Sequence, residues 1–521
     1  MSSKQKQKRK NKQEKNRKYI PYLLAALSGA LYILSIKLFN PIVGFLVFIP
    51  LIYALNNVSL KRTIGLSITF GGVFGILAFN WMLFAGALYS EHYIFGLLGT
   101  LLSTSIFIIF FTLLFVIFRL LTRNKMTIKN IFILAALVGV MEFGFSQLFV
   151  GYPLYYLRFG LPMLGSVYTI QLAEFGELYI LSFFTVLVNG LIAYGLIKKR
   201  FPRWAVLVLI LFLTTNFILY SWRTSSLQQS PTNKSSEISF NLINSNLHYP
   251  VDWKHDATTI LKRMQMANIE AAKHPADFNV WTETFLPWSY EKITDHINKL
   301  VKQHEGSGNY TLIGVNTKYK ENQSFNSAYL FNDKKEIVSR YDKRYLIKVL
   351  EAPVGNLIPV VSNEHGIQIA PGNHSEGMPT EKCYLGVFIC NESSTSKAIR
   401  PLVLNGSDVL VNISNDSWFK DTYLINLHFY TNRMRAVTTR RDLVINSNGG
   451  VSGAITANGA IQLQELNDHL VIRKVNVQPH EGTTLFVKYP YLFAIVSALL
   501  ILLFKLIDIK NIKRKVNKNK D

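Results

Sequence analysis

Long apolar runs separated by short polar stretches dominate the first 222 residues of the chain. The runs lie at 20–38, 41–57, 64–88, 93–120, 129–149, 170–197 and 204–222, and one more lies at 487–508. A helix of about 20 apolar residues is long enough to cross a bilayer. The pattern therefore predicts an α-helical transmembrane bundle of about eight spans, in which the short run 41–57 is either a span or a re-entrant segment.

The pattern changes after the seventh run. Residues 223–236 are polar and have no helical or strand period, which is typical of a linker. From 237 to 486, short apolar strands alternate with amphipathic segments, as in an α/β domain. Strands are predicted at 238–244, 278–282, 311–315, 327–331, 337–341, 384–389, 409–413 and 443–446, and helices at 256–273, 291–304 and 421–440.

The distribution of the formal net charge of +24 predicts how the chain is oriented in the membrane, because basic residues are concentrated in the terminal tails 1–19 and 509–521. Basic segments beside an apolar span stay in the cytoplasm. With about seven spans between residues 20 and 222, the segment 237–486 is expected to lie outside the cytoplasm. The last span, 487–508, then returns the chain to the cytoplasm. Nucleic-acid binding is disfavoured, because the charge lies outside the predicted folded regions.

The two cysteines, Cys383 and Cys390, lie seven residues apart around one predicted strand. An odd separation places them on opposite faces of a strand, so a disulfide between them is not expected. His255, His274 and His428 show no metal-ligand spacing. We therefore expect no metal and no cofactor.

Three predicted strands end in a reactive side chain, namely Glu283, Lys343 and Cys390. Reactive groups at the carboxyl ends of strands can converge on one site in an open α/β sheet. Taken singly, each has an ordinary explanation as a turn residue, a surface charge or a small core residue.

Four longer strings surround these residues and the strand that follows them: 280–287 (VWTETFLP), 341–351 (YDKRYLIKVLE), 386–392 (GVFICNE) and 411–419 (VNISNDSWF). They resemble the signature of the carbon–nitrogen hydrolase (nitrilase) superfamily. Together with seven preceding spans and one following span, the chain from 20 to 508 resembles the apolipoprotein N-acyltransferase family of bacteria. The resemblance implies an αββα sandwich as the fold of 237–486.

Matched position by position, the resemblance implies that Glu283 is the general base, Lys343 the lysine and Cys390 the nucleophile. Glu351 and Glu392 match supporting acidic residues. Family members often have proline before the base and tyrosine after the nucleophile, where this chain has Thr282 and Asn391. These departures concern the substrate pocket and not the reacting groups, and Asn391 is retained as a supporting residue.

The implied chemistry is also physically sensible. Glu283 can accept the thiol proton of Cys390 while the cationic Lys343 favours the thiolate and stabilises an oxyanion, together with the backbone N–H that follows Cys390. Glu351 either holds Lys343 or shuttles a proton to the incoming amine. The sequence leaves both roles open.

The resemblance further implies the substrates and the location. It implies transfer of a fatty acyl chain from a membrane phospholipid, through a cysteine thioester, to the α-amino group of diacylglyceryl-modified lipoproteins. The protein would be a multi-pass component of the bacterial cytoplasmic (inner) membrane. A membrane-bound amidase of the same fold and a non-enzymatic transporter or receptor are the alternatives.

Two further features have open interpretations. The apolar stretch 353–361 is either a lid that admits acyl chains or an ordinary buried loop. A group of arginines at the end of the third predicted helix either meets lipid phosphate or forms a solvated face; it comprises Arg433, Arg435, Arg440 and Arg441.

Overall fold

The computed structural model describes residues 3–84, 92–153, 156–229, 237–247, 257–302, 308–354, 368–466 and 469–518. A helical bundle is formed by the residues up to 229 together with the last helix. It comprises α1 Ser3–Leu38, α2 Pro41–Gly44, α3 Ile49–Ala54, α4 Leu60–Phe79, α5 Tyr93–Thr122, α6 Ile128–Leu148, a 3-10 helix Leu161–Gly165, α7 Val167–Ile170, α8 Ala173–Lys198, α9 Arg203–Gln229 and, much later in the chain, α15 Leu492–Lys518.

Seven helices in the described residues are long and apolar enough to cross a membrane. Six of them lie in the bundle before residue 230 and the seventh is Leu492–Asn511. The run 41–57 differs from the others, because it forms two short helices. Pro41 and Pro50 stand at their first turns, where a missing N–H does no harm, and Asn40 caps the first with its side-chain oxygen.

The broken segment nevertheless connects the two ends of the bundle. At its beginning, the Phe39 ring stacks on Tyr430 of the α/β part with centroids 4.1 Å apart. At its end, the Asn57 N–H donates to Asn124 O at 2.9 Å, in the loop between α5 and α6. The chain therefore crosses the bundle once between residues 39 and 57, so the described residues contain seven crossings before 230 and one after 491.

Several basic residues lie at the end of the bundle away from the α/β part. Arg62 donates to Lys18 O at 3.3 Å, and Lys505 donates to Leu121 O at 2.5 Å. Lys129 pairs with Asp508. At the opposite end, Tyr423 of the α/β part donates its hydroxyl to Ala78 O at 3.1 Å. The beginning of the first span and the end of the last one thus share one end of the bundle.

The α/β part is built from thirteen strands in the described residues. Their bounds are β1 Ile238–Asn244, β2 Phe278–Trp281, β3 Tyr310–Lys320, β4 Gln323–Phe331, β5 Ile337–Asp342, β6 Gln368–Ile369, β7 Met378–Pro379, β8 Tyr384–Ile389, β9 Val409–Asn415, β10 Asp442–Asn448, β11 Val451–Ile455, β12 Ile461–Leu466 and β13 Val471–Val477. The first sheet has the order β13-β1-β2-β3-β4-β5, with β6 beside β4, and the second has the order β12-β11-β10-β9-β8-β7.

The two sheets pack face to face, and helices cover their outer faces. The helices are α10 Ala257–Ala272, α11 Tyr290–Lys302, α12 Ser396–Leu404 and α13 Leu424–Thr439, followed by the short α14 Leu485–Lys488. Alternation along the strands of the first sheet sets its two faces. Val280 and Leu312 face the second sheet, whereas the neighbouring Trp281 and Ile313 pack against α10 and α11. The result is the expected αββα sandwich.

The predicted strands at 238–244 and 384–389 have the observed bounds, and the others are found with shifted ends. The hairpins β11–β12 and β10–β11 and the returning strand β13 were not predicted. β13 closes the first sheet by pairing antiparallel with β1, more than 200 residues away. Such distant pairing leaves little trace in the local pattern.

Both interpretations of the arginine group are wrong, because all four side chains are buried, and three of them lie at the junction between the bundle and the sandwich. Arg440 donates to Glu174 Oε2 at 2.6 Å and Arg435 is paired with Glu177. Both carboxylates belong to α8. Arg433 donates to Leu164 O at 2.8 Å. Helix α13 thus belongs to the sandwich but anchors it to the bundle.

Candidate functional site

Glu283, Lys343 and Cys390 lie together at one edge of the sandwich. Lys343 directly follows β5, Glu283 lies two residues beyond β2, and Cys390 directly follows β8 and begins a 3-10 helix, Cys390–Ser394. The three residues therefore come from two facing sheets, not from one open sheet as the sequence suggested. Carboxyl ends of strands from both sheets meet at this edge.

The carboxylate of Glu283 is fixed by donors from both sheets. Oε1 accepts from Asn326 Nδ2 at 2.7 Å, and Oε2 accepts the backbone N–H of Asn415 at 2.8 Å. Glycine is required at position 314 of β3, because a Cβ there would lie 2.8 Å from Glu283 Cα and 2.5 Å from Thr282 O. The missing side chain lets the segment after β2 pass close to β3, which places Glu283 in the site.

Lys343 is fully buried and donates to two carboxylates. Its Nζ lies 3.1 Å from Glu283 Oε1 and 2.6 Å from Glu351 Oε1. The other oxygen of Glu351 accepts the Ile347 N–H at 2.7 Å. Burial lowers the pKa of Lys343, but Glu283 and Glu351 raise it by more, so its pKa lies well above the usual value. Lys343 is therefore a permanent ammonium facing two acids.

Cys390 has a backbone conformation that is rare for a residue with a side chain. Its φ is +53°, a left-handed value that non-glycine residues adopt only when the surroundings hold them there. Burial and the carboxylate of Glu283 raise the pKa of the thiol well above its usual value, and Lys343 opposes them only in part. The resting residue is therefore a thiol, and a base must take its proton when it reacts.

Glu392 and Asn391 face the loop after β5. Glu392 accepts hydrogen bonds from the Tyr341 hydroxyl at 2.9 Å, from the Arg344 N–H at 2.8 Å and from the N–H of Ile389, three residues before it, at 2.8 Å. Asn391 donates its side-chain N–H to Tyr345 O at 2.9 Å. Both residues thus tie the turn that carries Cys390 to the loop that carries Lys343.

A histidine and an aspartate next to Cys390 were missed as site residues. His428 of α13 places Nε2 3.0 Å from the backbone oxygen of Cys390 and Nδ1 2.9 Å from Asp416 Oδ2. Asp416 belongs to the fourth sequence string, but nothing in the sequence connects it with a histidine twelve residues later. Only the fold brings the two together.

A pocket with a mainly apolar lining opens at Cys390. Its lining comes from both parts of the molecule: Pro153 and Tyr156 from the bundle, and Ile347, Phe419, Leu424 and Leu427 from the sandwich. His428 and Asp416 also line it. A hydrocarbon chain is the kind of group that such a lining favours.

Among the described residues, no cluster of three or more His, Cys, Asp or Glu side chains is arranged to hold a metal ion. Cys383 and Cys390 are both buried and free of a disulfide. His255 lies outside the described residues, and so does most of the stretch 353–361 for which a lid was considered. His274 lies 3.7 Å from Glu270, on the surface of the sandwich.

Two family models match the chain. The model described as carbon–nitrogen hydrolase matches residues 242–460, and the model described as apolipoprotein N-acyltransferase N-terminal domain matches residues 28–191. The first covers most of the sandwich, and the second covers most of the helical bundle.

Curated relatives span most of the chain. A protein from Geobacter metallireducens named apolipoprotein N-acyltransferase is 26% identical over 499 residues, which cover 91% of this chain and 92% of the relative. A protein of the same name from Wigglesworthia glossinidia brevipalpis is 24% identical over 355 residues, covering 64% and 68%.

Solved structures match part of the chain. A carbon–nitrogen hydrolase from Helicobacter pylori is 17% identical with a TM-score of 0.36, and the match covers 47% of this chain and 90% of that structure. An amidase from Nesterenkonia is 14% identical with a TM-score of 0.37, covering 47% and 92%. Each match covers less than half of this chain.

Proposed function

The chain belongs to the apolipoprotein N-acyltransferase family, and we propose that it moves an acyl chain from a membrane phospholipid, through a thioester on Cys390, to the α-amino group of a diacylglyceryl-modified lipoprotein. It is an acyltransferase and a multi-pass bacterial membrane protein. The phospholipid donor, the covalent intermediate and the residue roles are the proposed part.

One observation carries the proposal. A buried cysteine lies beside a fixed carboxylate and a permanent ammonium, at a cavity lined by apolar residues of both the bundle and the sandwich. The polar groups suit attack of sulfur on a carbonyl, and the cavity suits a hydrocarbon chain. An acyl group that is part of a membrane lipid can reach such a site, because the bundle and the sandwich form it together.

In the first half of the reaction, Glu283 takes the thiol proton and the sulfur of Cys390 forms a bond to the ester carbonyl carbon of the donor. The carbonyl electron pair moves onto oxygen, where Lys343 and the backbone N–H of Asn391 stabilise the negative charge. Collapse of this intermediate breaks the carbon–oxygen bond. The leaving alkoxide receives the proton from Glu283, and a lysophospholipid departs.

In the second half, the neutral α-amino group of the acceptor attacks the thioester. Glu283 accepts a proton from the amine, the carbon–sulfur bond breaks, and the thiolate of Cys390 is protonated again from Glu283. The amide product and the free enzyme remain, so atoms and charge balance over both halves. Splitting the transfer in this way lets the two lipid-anchored substrates use the site in turn.

The supporting acids are assigned different roles. Glu351 accepts from both Lys343 and the Ile347 N–H, which favours holding the lysine over carrying a proton. The carboxylate of Glu392 accepts hydrogen bonds from the Tyr341 hydroxyl and from three backbone N–H groups. We assign it, with Asn391, to fixing the turn of the nucleophile against the loop of the lysine.

The proposed domain division places the tails 1–19 and 509–521 in the cytoplasm and the sandwich 237–486 outside it. Support comes from basic residues at the far end of the bundle, including Lys18, Arg62 and Lys129, because basic ends stay inside. A reporter fused after residue 236 should read as extracytoplasmic and one fused at 521 as cytoplasmic. A cytoplasmic signal from the 236 fusion would overturn this orientation.

Mass spectrometry of a reporter lipoprotein, produced with and without this protein, tests the function itself. We expect one additional acyl chain on its N-terminal cysteine only when the protein is present. A membrane-bound amidase would behave differently, because it would pass the acyl group to water. Release of free fatty acid with no change in the lipoprotein would therefore favour that alternative.

A further inference from the structure

The nearest group to each ring nitrogen of His428 is a hydrogen-bond acceptor. Nε2 lies 3.0 Å from the backbone oxygen of Cys390, and Nδ1 lies 2.9 Å from Asp416 Oδ2. A carbonyl oxygen and an ionised carboxylate have no proton to give. The Ser414 hydroxyl, 3.4 Å from Nδ1, donates its single proton to Asp416, so both nitrogens carry a proton. The arrangement corresponds to an imidazolium ion held between Asp416 and Cys390.

The aspartate is itself held in place, which keeps the pair together. Its carboxylate accepts from Ser414 Oγ at 2.9 Å and from Ser447 Oγ at 2.8 Å. Burial lowers the pKa of His428, but Asp416 raises it by more, and the Cys390 carbonyl adds to the rise, so that the pKa lies above its ordinary value. Charge and geometry therefore agree on a protonated ring.

The hydrogen bond to Cys390 fixes the peptide unit that follows the nucleophile. In a trans peptide the C=O and N–H point in opposite directions. His428 and, more weakly, Asn412 at 3.4 Å hold the Cys390 oxygen on one side, which directs the N–H of Asn391 to the other. Asn391 is the second residue of the 3-10 helix, where backbone N–H groups have no intrahelical partner.

We propose that His428, charged through Asp416, is a positioning residue that holds the Cys390–Asn391 peptide unit so that its N–H stabilises the oxyanion. The inference rests on the proposed acyl-enzyme chemistry and adds one residue to it. Among the described residues, no hydrogen bond joins His428 to Glu283 or to Lys343. The positive φ of Cys390 needs such support, because the backbone does not keep that conformation by itself.

Two reactions of the same sulfur separate this role from a general structural one. Acylation by a p-nitrophenyl fatty-acid ester passes through an oxyanion, whereas alkylation by iodoacetamide does not. A change in the thiolate fraction or in access to the site alters both rates alike, so the ratio of acylation to alkylation isolates the carbonyl chemistry. The ester also makes the test independent of the phospholipid donor.

His428→Leu, measured in the full-length protein in detergent, should lower that ratio by about 100-fold, since loss of one oxyanion donor costs 10²–10³ in rate. His428→Gln keeps a donor near the position of Nε2 and should recover part of the loss, leaving the ratio about 10-fold below that of the wild type. If the leucine variant does not fold, the glutamine variant provides the test.

His480→Gln is the matched control, because His480 is another buried histidine next to a carboxylate, with Nε2 3.0 Å from Asp442 Oδ1, elsewhere in the sandwich. Its ratio should equal that of the wild type. A ratio in His428→Leu or His428→Gln within threefold of the wild type, or an equal fall in His480→Gln, would overturn the inference. A wild type that reacts with the ester but not with phospholipid would contradict the proposed donor and leave the role of His428 standing.

Discussion

Two buried ionic clusters in this molecule are built from the same kinds of side chain and differ in their charge balance. At the strand ends, Lys343 is shared by two carboxylates, Glu283 and Glu351. At the junction of bundle and sandwich, Arg435 pairs with Glu177. Counted over these ion pairs of the described residues, the first cluster has two acids for one base, whereas each acid of the second has an arginine of its own.

The difference indicates which cluster can do proton chemistry. In the first, one carboxylate is only partly compensated and can take a proton from a neighbouring thiol. In the second, both acids, Glu174 and Glu177, have arginine partners. Glu174 even accepts from two arginines, Arg440 at 2.6 Å and Arg223 at 2.8 Å. Such pairs hold surfaces together, and removing one partner leaves a buried charge uncompensated.

Glu283→Gln should produce the largest effect on activity. Glutamine has nearly the same shape but cannot accept the thiol proton, so acyl transfer should fall by about 10³-fold, within the 10²–10⁴ range for a lost general base. Lys343→Met should cause a similar loss through the missing oxyanion charge. Transfer to a reporter lipoprotein is the measurement.

Glu270→Gln is the control for this substitution, since Glu270 forms an exposed pair with Lys273 in the same sandwich. It should transfer normally. Near-normal transfer by Glu283→Gln would mean that the excess carboxylate at the strand ends has no role as a base.

Arg435→Met should affect stability most. It removes the arginine that pairs with Glu177, which is 2% exposed, and the expected cost is about 3–5 kcal/mol. The thermal midpoint in detergent should fall accordingly. Because apolar replacement of both partners is often neutral, the double variant Arg435→Met with Glu177→Leu should recover much of the loss.

Arg473→Met provides the exposed counterpart. Arg473 pairs with Glu465, and their side chains are 42% and 26% exposed, so the cost should be at most about 1 kcal/mol. If this variant and Arg435→Met lose equal stability, the buried junction pair is no stronger an anchor than a surface pair.

Glu351→Gln should have a smaller effect than Glu283→Gln. Glutamine can still accept a hydrogen bond from Lys343 but supplies no charge. The rate of transfer is therefore expected to fall by about 10-fold, which corresponds to a rise of about 1.4 kcal/mol in the activation free energy. A loss as large as that of Glu283→Gln would instead assign Glu351 to carrying a proton.

The smallest effect is a shift in the pH dependence of thiol alkylation. The carboxylate of Glu283 raises the pKa of Cys390, so its removal should lower that pKa. The iodoacetamide reaction of Cys390 in Glu283→Gln should then begin to rise at a lower pH than in the wild type, even though transfer is lost. An unchanged or higher pH onset would show that the two groups do not interact as described.

The sequence predicted the first cluster and missed the second for a physical reason. Glu283, Lys343 and Cys390 each follow a strand and stand in recognisable strings, so local pattern and resemblance found them. The partners of Arg435 and Arg440 lie 258 and 266 residues away. No periodicity records such contacts, and the arginines were therefore interpreted as a surface group.

The same limit applies to the rest of the fold and site. The long apolar runs determine their helices almost alone, and β8 was predicted with its observed bounds. By contrast, Asn326 and His428 acquire their roles through contacts 43 and 38 residues away. The strand β13 pairs across most of the sandwich. Those features depend on the packing of two sheets, which the sequence pattern does not contain.

The most direct test of the account is to look for the acyl-enzyme. Purified protein incubated with phospholipid and no acceptor should carry an acyl mass on the peptide that contains Cys390, removable by neutral hydroxylamine. A lipoprotein with a free, diacylglyceryl-modified N-terminal cysteine should discharge it. Cys390→Ala should never acquire the acyl mass. Wild-type protein that transfers without ever carrying the acyl group, or Cys390→Ala that transfers at a normal rate, would contradict the central claim.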